Sequence, residues 1–144
     1  MGTLLHTKKI FTALMALACL VVLATAEYSE AKTIDCQSRG SLAGPVQGGK
    51  QLITFSAVFQ NVSRHEYVAR VNWVTVEVHG YFHGREETYT RKVDVNWDFM
   101  PALEPGQRKG LKMKFRRTVQ PQRDMFPYDD VEIKVLNINF SRAS

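Results

Sequence analysis

From Leu52 onward, apolar and polar residues alternate with a period of two, the signature of strands that bury one face. Ile53, Phe55, Ala57 and Phe59 fall on one side of the first clear run, against Thr54, Ser56, Val58 and Gln60 on the other. A second run, Ala69 to Tyr81, groups Val74, Val76 and Val78 and turns Trp73, Thr75, Glu77 and His79 away. In a third, Glu87 to Trp97, the residues Tyr89, Val93, Val95 and Trp97 share a side opposite Thr88, Thr90, Lys92 and Asp94. The fourth is the most regular, with Leu111, Met113 and Phe115 inward and Lys112, Lys114 and Arg116 outward. The last, Val131 to Phe140, holds Val131, Ile133 and Val135 in phase and then shifts to Leu136, Ile138 and Phe140. That shift calls either for a bulge near Val135 or for burial of both faces.

Turn residues separate these runs: Gly80, Gly84, Pro101, Pro105-Gly106, Pro121 and Pro127. His83-Gly84 sits between two alternating runs and predicts a hairpin. No stripe at i, i+3, i+4 is long enough for a stable helix beyond residue 26. The spacing predicts an all-β fold, an immunoglobulin-like antiparallel β-sandwich of six or seven strands over residues 51–144. Trp73, Trp97 and the phenylalanines are the expected core. Ahead of it, residues 27–50 read as a lead-in, with a short strand at Lys32 to Cys36. A loop follows where Ser38, Gly40, Ser41, Gly44, Pro45, Gly48 and Gly49 cluster.

The N-terminus changes the compartment. Lys8 and Lys9 precede an apolar run from Ile10 to Leu23, and Ala24-Thr25-Ala26 follows as a cleavage site, so residues 1–26 read as a secretory signal peptide. The apolar run is short for a membrane span, which needs about 20 residues. A lipoprotein signal at Cys19 fails, because Ala16 stands where a large aliphatic residue is expected and apolar residues continue from Leu20 to Leu23. The expected location is periplasmic or secreted, with no transmembrane span once the leader is gone. Cleavage takes Lys8 and Lys9 along, lowering the formal net charge from +5 to +3. Such a mild excess does not imply a nucleic-acid partner. Cys19 leaves too, so Cys36 stands alone, either as a half-buried small residue or as a thiol that pairs between chains.

The run Phe55-Ser56-Ala57-Val58-Phe59-Gln60-Asn61-Val62-Ser63 resembles an early strand of small bacterial extracytoplasmic Ig-like domains, the FxLYD type and the cell-adhesion-related type. Leu103-Glu104-Pro105-Gly106-Gln107, leading into Leu111 to Phe115, resembles their L-x-P-G turn. Where the FxLYD type has an aromatic-acidic strand end, this chain has Val76-Glu77-Val78-His79-Gly80. The resemblance covers Gln51 to Phe140. It implies a binding or accessory module of the bacterial envelope, with no catalytic residues to carry over.

Candidate chemistry is sparse. No Gly-x-Ser-x-Gly elbow occurs, and no serine, histidine and acid fall in a recognisable arrangement, so no catalytic residue and no cofactor are expected. His65, His79 and His83 are candidate metal ligands for copper, zinc or nickel, since neutral imidazole suits all three. His79 and His83, four apart on an extended strand, would stand roughly 13 Å from each other unless a turn intervenes. Met100, Met113 and Met125 form no methionine-rich run.

The basic stretch from Arg108 to Arg123 is the strongest surface signal. It carries Arg108, Lys109, Lys112, Lys114, Arg116, Arg117 and Arg123 with no acid among them. Lys112, Lys114, Arg116 and Arg117 are the candidate contacts for an anionic partner: lipopolysaccharide phosphates, lipid headgroups or an acidic protein face. The plain alternative is that lysines on an edge strand guard it against pairing with another edge. Nucleic acid is not expected as a partner, because the chain reads as exported and no aromatic sits between these cations on the same face. A subunit of a surface assembly, using an edge strand for β-augmentation, is the remaining class. Two sequons, Asn61-Val62-Ser63 and Asn139-Phe140-Ser141, are incidental in a bacterial envelope protein.

Overall fold

The alternating runs close into two facing sheets. The structure, a computed structural model, describes residues 32–144. The leader assigned to residues 1–26, with Cys19, lies outside the described residues. In chain order the strands are β1 (Ile34–Gln47), β2 (Lys50–Asn61), β3 (Val68–Phe82), β4 (Arg85–Leu103), β5 (Arg108–Thr118) and β6 (Asp130–Arg142). One sheet has the order β1-β2-β5 and the other β4-β3-β6, with every pairing antiparallel. This is the order of strands A-B-E and C′-C-F in an immunoglobulin sandwich. A single turn of 3-10 helix, Pro121–Arg123, lies between β5 and β6.

Two hairpins stay within a sheet. Gly48 and Gly49 (φ 59° and 73°) join β1 to β2, and His83 and Gly84 (φ 47° and 78°) join β3 to β4. Positive φ at both positions is what a two-residue loop needs to match strand twist. The expected His83-Gly84 hairpin is therefore present.

The core is the meeting of two inward rows. Ile53, Phe55, Ala57 and Phe59 of β2 face Val71, Val74, Val76 and Val78 of β3, all essentially inaccessible. Phe115 of β5 meets Phe55 edge-on at 6.3 Å between centroids. The tryptophans do not contribute as expected. Trp73 lies on the outer face beneath Lys92, and Trp97 is 45% exposed. The β3–β4 register slips between Val71 and Trp73, and Asn96 takes φ 49°, so Trp97 sits beyond a break in the edge strand. The phase shift in the last strand is a bulge: Thr75 opposes Asn137 and Val76 opposes Val135, leaving Leu136 unpaired and exposed.

The glycine-rich segment expected as a loop is instead most of β1. It is an edge strand, and its register shifts at Ser38/Gly40 and Ala43/Val46 absorb the residues that disfavour a regular ladder. At Gly44 a side chain would meet the Leu52 carbonyl at 2.9 Å, so the glycine permits close pairing. Ser41 then ties this sheet to the other, its Oγ donating to the Val131 carbonyl at 2.5 Å.

Three connections cross between sheets, and each is held by a buried carboxamide of β2. Asn61 Nδ2 donates to the Glu66 carbonyl (2.7 Å) in the β2–β3 connection and to the Leu103 carbonyl (2.9 Å) at the end of β4. Its Oδ1 accepts from the Ser63 amide and hydroxyl. The backbone of Asn61 also pairs with Gly106 and Gln107 of the turn that starts β5. At the other end, Gln51 Nε2 donates to the Gly44 and Tyr128 carbonyls, while its Oε1 accepts from the Tyr128 amide. That pins the β5–β6 crossing. The Tyr128 ring lies on Gly80, where a Cβ would come within 2.2 Å of it.

Replacing Asn61 by Leu strands the Leu103 carbonyl in the interior and leaves the Glu66 carbonyl only the Ser63 hydroxyl, and it is expected to cost about 2–4 kcal/mol of unfolding free energy. Ser63→Ala removes a hydroxyl that bonds Asn61 Oδ1 and the Glu66 carbonyl and amide, all in a part-exposed connection that water can reach, and it is expected to cost about 1 kcal/mol. Denaturant unfolding of both variants checks this order; equal losses would contradict it.

Candidate functional site

Strict alternation along β5 sends Leu111, Met113 and Phe115 into the core and leaves Lys112, Lys114 and Arg116 exposed on the outer face. Their cross-strand neighbours on β2 are Ser56, Thr54 and Leu52. Arg108 and Lys50, at the two ends of the same face, oppose Gln60 and Thr118. None of these partners is charged. Among the described residues no ion pair reaches Lys112, Lys114 or Arg116. The one carboxylate in β1, β2 and β5 is Asp35. Lys32 holds it at 2.9 Å and, with the Cys36 amide, keeps its carboxyl below the usual range.

The face also has apolar ground. Leu42 of β1 opposes Thr54, which in turn opposes Lys114, so the three make one row across the sheet. Leu42 is 67% exposed. Beside Arg116, a shallow cleft of about 190 Å³ is lined by Pro45, Gln47, Lys50 and Leu52.

Arg117 does not belong with this row. It is only 7% exposed and faces inward, one step further along the same alternation. Its guanidinium lies 3.6 Å from the Tyr128 ring centroid and donates to the Phe126 carbonyl (2.7 Å) and Gln51 Oε1 (3.2 Å). Glu87 Oε2 stands 3.9 Å away. The positive charge is thus spent inside the fold, clamping the β5–β6 crossing. Burial pushes the Tyr128 phenol strongly upward, and the nearby Glu87 carboxylate adds to the push, although hydroxyl and carboxylate do not meet in hydrogen-bonding geometry.

The three histidines are not brought together. His65 is exposed in the β2–β3 connection. His83 sits in the hairpin with its backbone amide bonded to Asp129. His79 lies on the outer face of β3, with Nδ1 2.9 Å from Glu86 and Nε2 2.5 Å from Glu77. Those two carboxylates, Glu86 before Glu77, raise its pKa. Among the described residues no group of three or more histidine, cysteine or acidic side chains is placed to hold a metal ion.

The surroundings of His79 are acidic. Glu132 opposes it from β6, and Glu86 and Asp130 flank Tyr81 one pair further on. Burial, then Glu132, Glu86 and Asp130, raise the Tyr81 phenol. The two outer faces of the sandwich therefore differ in sign, one basic along β5 and the other acidic around His79.

Cys36 points toward Phe59 across the ladder and is half-buried, and its thiol is pushed up to about 12, chiefly by burial and then by Asp35. A thiol so held is a poor nucleophile. Among the described residues no helix is long and apolar enough to cross a membrane. Set against protein-family models, curated proteins and solved structures, the chain matches none of them.

Two measurements follow from these placements. Native Cys36 is expected to react with iodoacetamide at about pH 8 at least tenfold more slowly than in denaturant, as the raised thiol pKa requires; equal rates would contradict its burial. His79 has a folded pKa above the unfolded value of about 6.5, so its contribution is full below that value and fades as pH rises through the folded one. His79→Gln is accordingly expected to cost more stability at about pH 5.5 than at about pH 9. The same loss at both would show that the ring pairs with neither glutamate.

Proposed function

We propose that this chain is an exported, non-enzymatic immunoglobulin-like module of the bacterial envelope, which binds an anionic partner through the outer face of its β1-β2-β5 sheet. The observation that carries the reading is the unpaired row of Lys112, Lys114 and Arg116, opposed only by neutral residues. Cations that merely decorate a fold tend to find carboxylates nearby, and this chain has them in supply on its other sheet. Keeping them apart costs attraction within the molecule and leaves the field of the row directed at solvent. Edge protection alone needs a lysine or two on β5. It does not account for Lys50 on the central strand of the same face.

Export supports the envelope as the place of action and rests on the leader read from residues 1–26. Arg117, one of the four contacts suggested by sequence, is left out of the binding face because it is buried.

Protein purified from cells expressing the full chain is expected to be retained on phosphocellulose at low salt and released as ionic strength rises. The triple reversal Lys112→Glu, Lys114→Glu, Arg116→Glu is expected to pass through unretained. A control reversing Arg64 and Arg123, which lie off this face, should elute close to wild type. Retention of the triple variant at wild-type strength would remove the proposal.

A further inference from the structure

We infer that the anionic partner is a lipid surface, and that the outer face of the β1-β2-β5 sheet lies flat on it with Leu42 entering the acyl boundary. This rests on the basic face being the contact face. Lys112, Lys114 and Arg116 are spaced by single inward residues, so their charges stand roughly 7 Å apart along one line. Such a line does not converge on any point, and so it does not enclose one small anion. It suits a plane of repeated single charges, where each cation near the surface strengthens binding roughly fivefold.

The apolar component separates lipid from a soluble polyanion. Leu42 is 67% exposed and shares a cross-strand row with Thr54 and Lys114. A large aliphatic side chain standing clear of the sheet among cations has no use for a phosphate polymer. At a bilayer it gains the acyl boundary while its charged neighbours stay at headgroup level, helped by the length of the lysine stems.

Orientation follows from the opposite sheet. Glu77, Glu86, Asp130 and Glu132 outnumber Lys92 and Lys134 on its outer face, so a negative surface repels that side and attracts the other. The domain approaches one way up. An acidic protein face, including that of a second copy, is the competing occupant, and it requires a patch shaped to Leu42 in addition to the charge.

The test is co-sedimentation with vesicles of phosphatidylglycerol and phosphatidylcholine in equal parts, and with phosphatidylcholine alone, beside phosphocellulose retention of the same samples. Wild type is expected to bind the mixed vesicles, to ignore the neutral ones, and to dissociate in 0.5 M salt. Leu42→Ser is expected to weaken vesicle binding roughly tenfold and leave phosphocellulose retention unchanged. Retention on phosphocellulose without vesicle binding overturns the lipid inference and spares the basic-face reading. Failure on both overturns the two together. Full vesicle affinity in Leu42→Ser overturns the apolar contact, and with it the stated mode of docking. Concentration-dependent self-association without lipid, lost in the triple reversal, assigns the face to a second copy instead.

Discussion

The sandwich depends on what happens at the two ends of one strand. β2 is the centre of its sheet, and its inward row begins with Gln51 and ends with Asn61. A carboxamide offers two N–H donors and an acceptor oxygen, one donor more than a peptide group, and these two use theirs on backbone that has left its ladder. Wherever the chain leaves one sheet for the other, its carbonyls and amides lose strand partners in a region where water is excluded. Asn61 supplies them at two crossings and Gln51 at the third. Without those bonds the cost of burying bare polar backbone would fall on the connections that define the topology.

Arg117 belongs to the same device. A guanidinium in the interior is tolerated only with its donors engaged, and here an aromatic face, a carbonyl and the Gln51 oxygen take them. The Tyr128 ring that covers it needs the bare backbone of Gly80 beneath. Gln51, Gly80, Arg117 and Tyr128 thus form one interlocking unit drawn from β2, β3, β5 and the segment before β6. The charge on β5 is consequently divided by function. Its outward members address solvent, and its one inward member holds the fold.

Much of this was legible in the sequence, and the limits have physical causes. Alternation in β2, β3 and β5 gave the inward and outward rows correctly, since a strand with one buried face writes its period into side-chain polarity. The same rule, followed two residues past each end of the apolar run, reaches Gln51 and Asn61, and one step past Phe115 reaches Arg117. Polarity hid all three, because a buried polar residue reads as exposed until its partners are known. β1 was illegible for a different reason. Edge strands tolerate glycine, proline and bulges, so its composition mimics a loop. The histidines lie too far apart along the chain for spacing to show that His79 is taken by Glu77 and Glu86, which come from its own strand and the next. The row on β5 was readable as charge, but its isolation from carboxylates needed the register with β2.

The triplet Asn61-Val62-Ser63 carries one more implication. As letters it is an acceptor for N-linked sugar, yet the Asn61 amide is sealed inside with both hydrogens committed and the serine hydroxyl turned back upon it. An oligosaccharide there is incompatible with the closed fold, and a transferase would meet the site only on a nascent, unfolded chain. Production in a eukaryotic secretory host therefore sets glycosylation and folding in competition for the same asparagine, and a chain modified first would have lost the amide that joins its two layers.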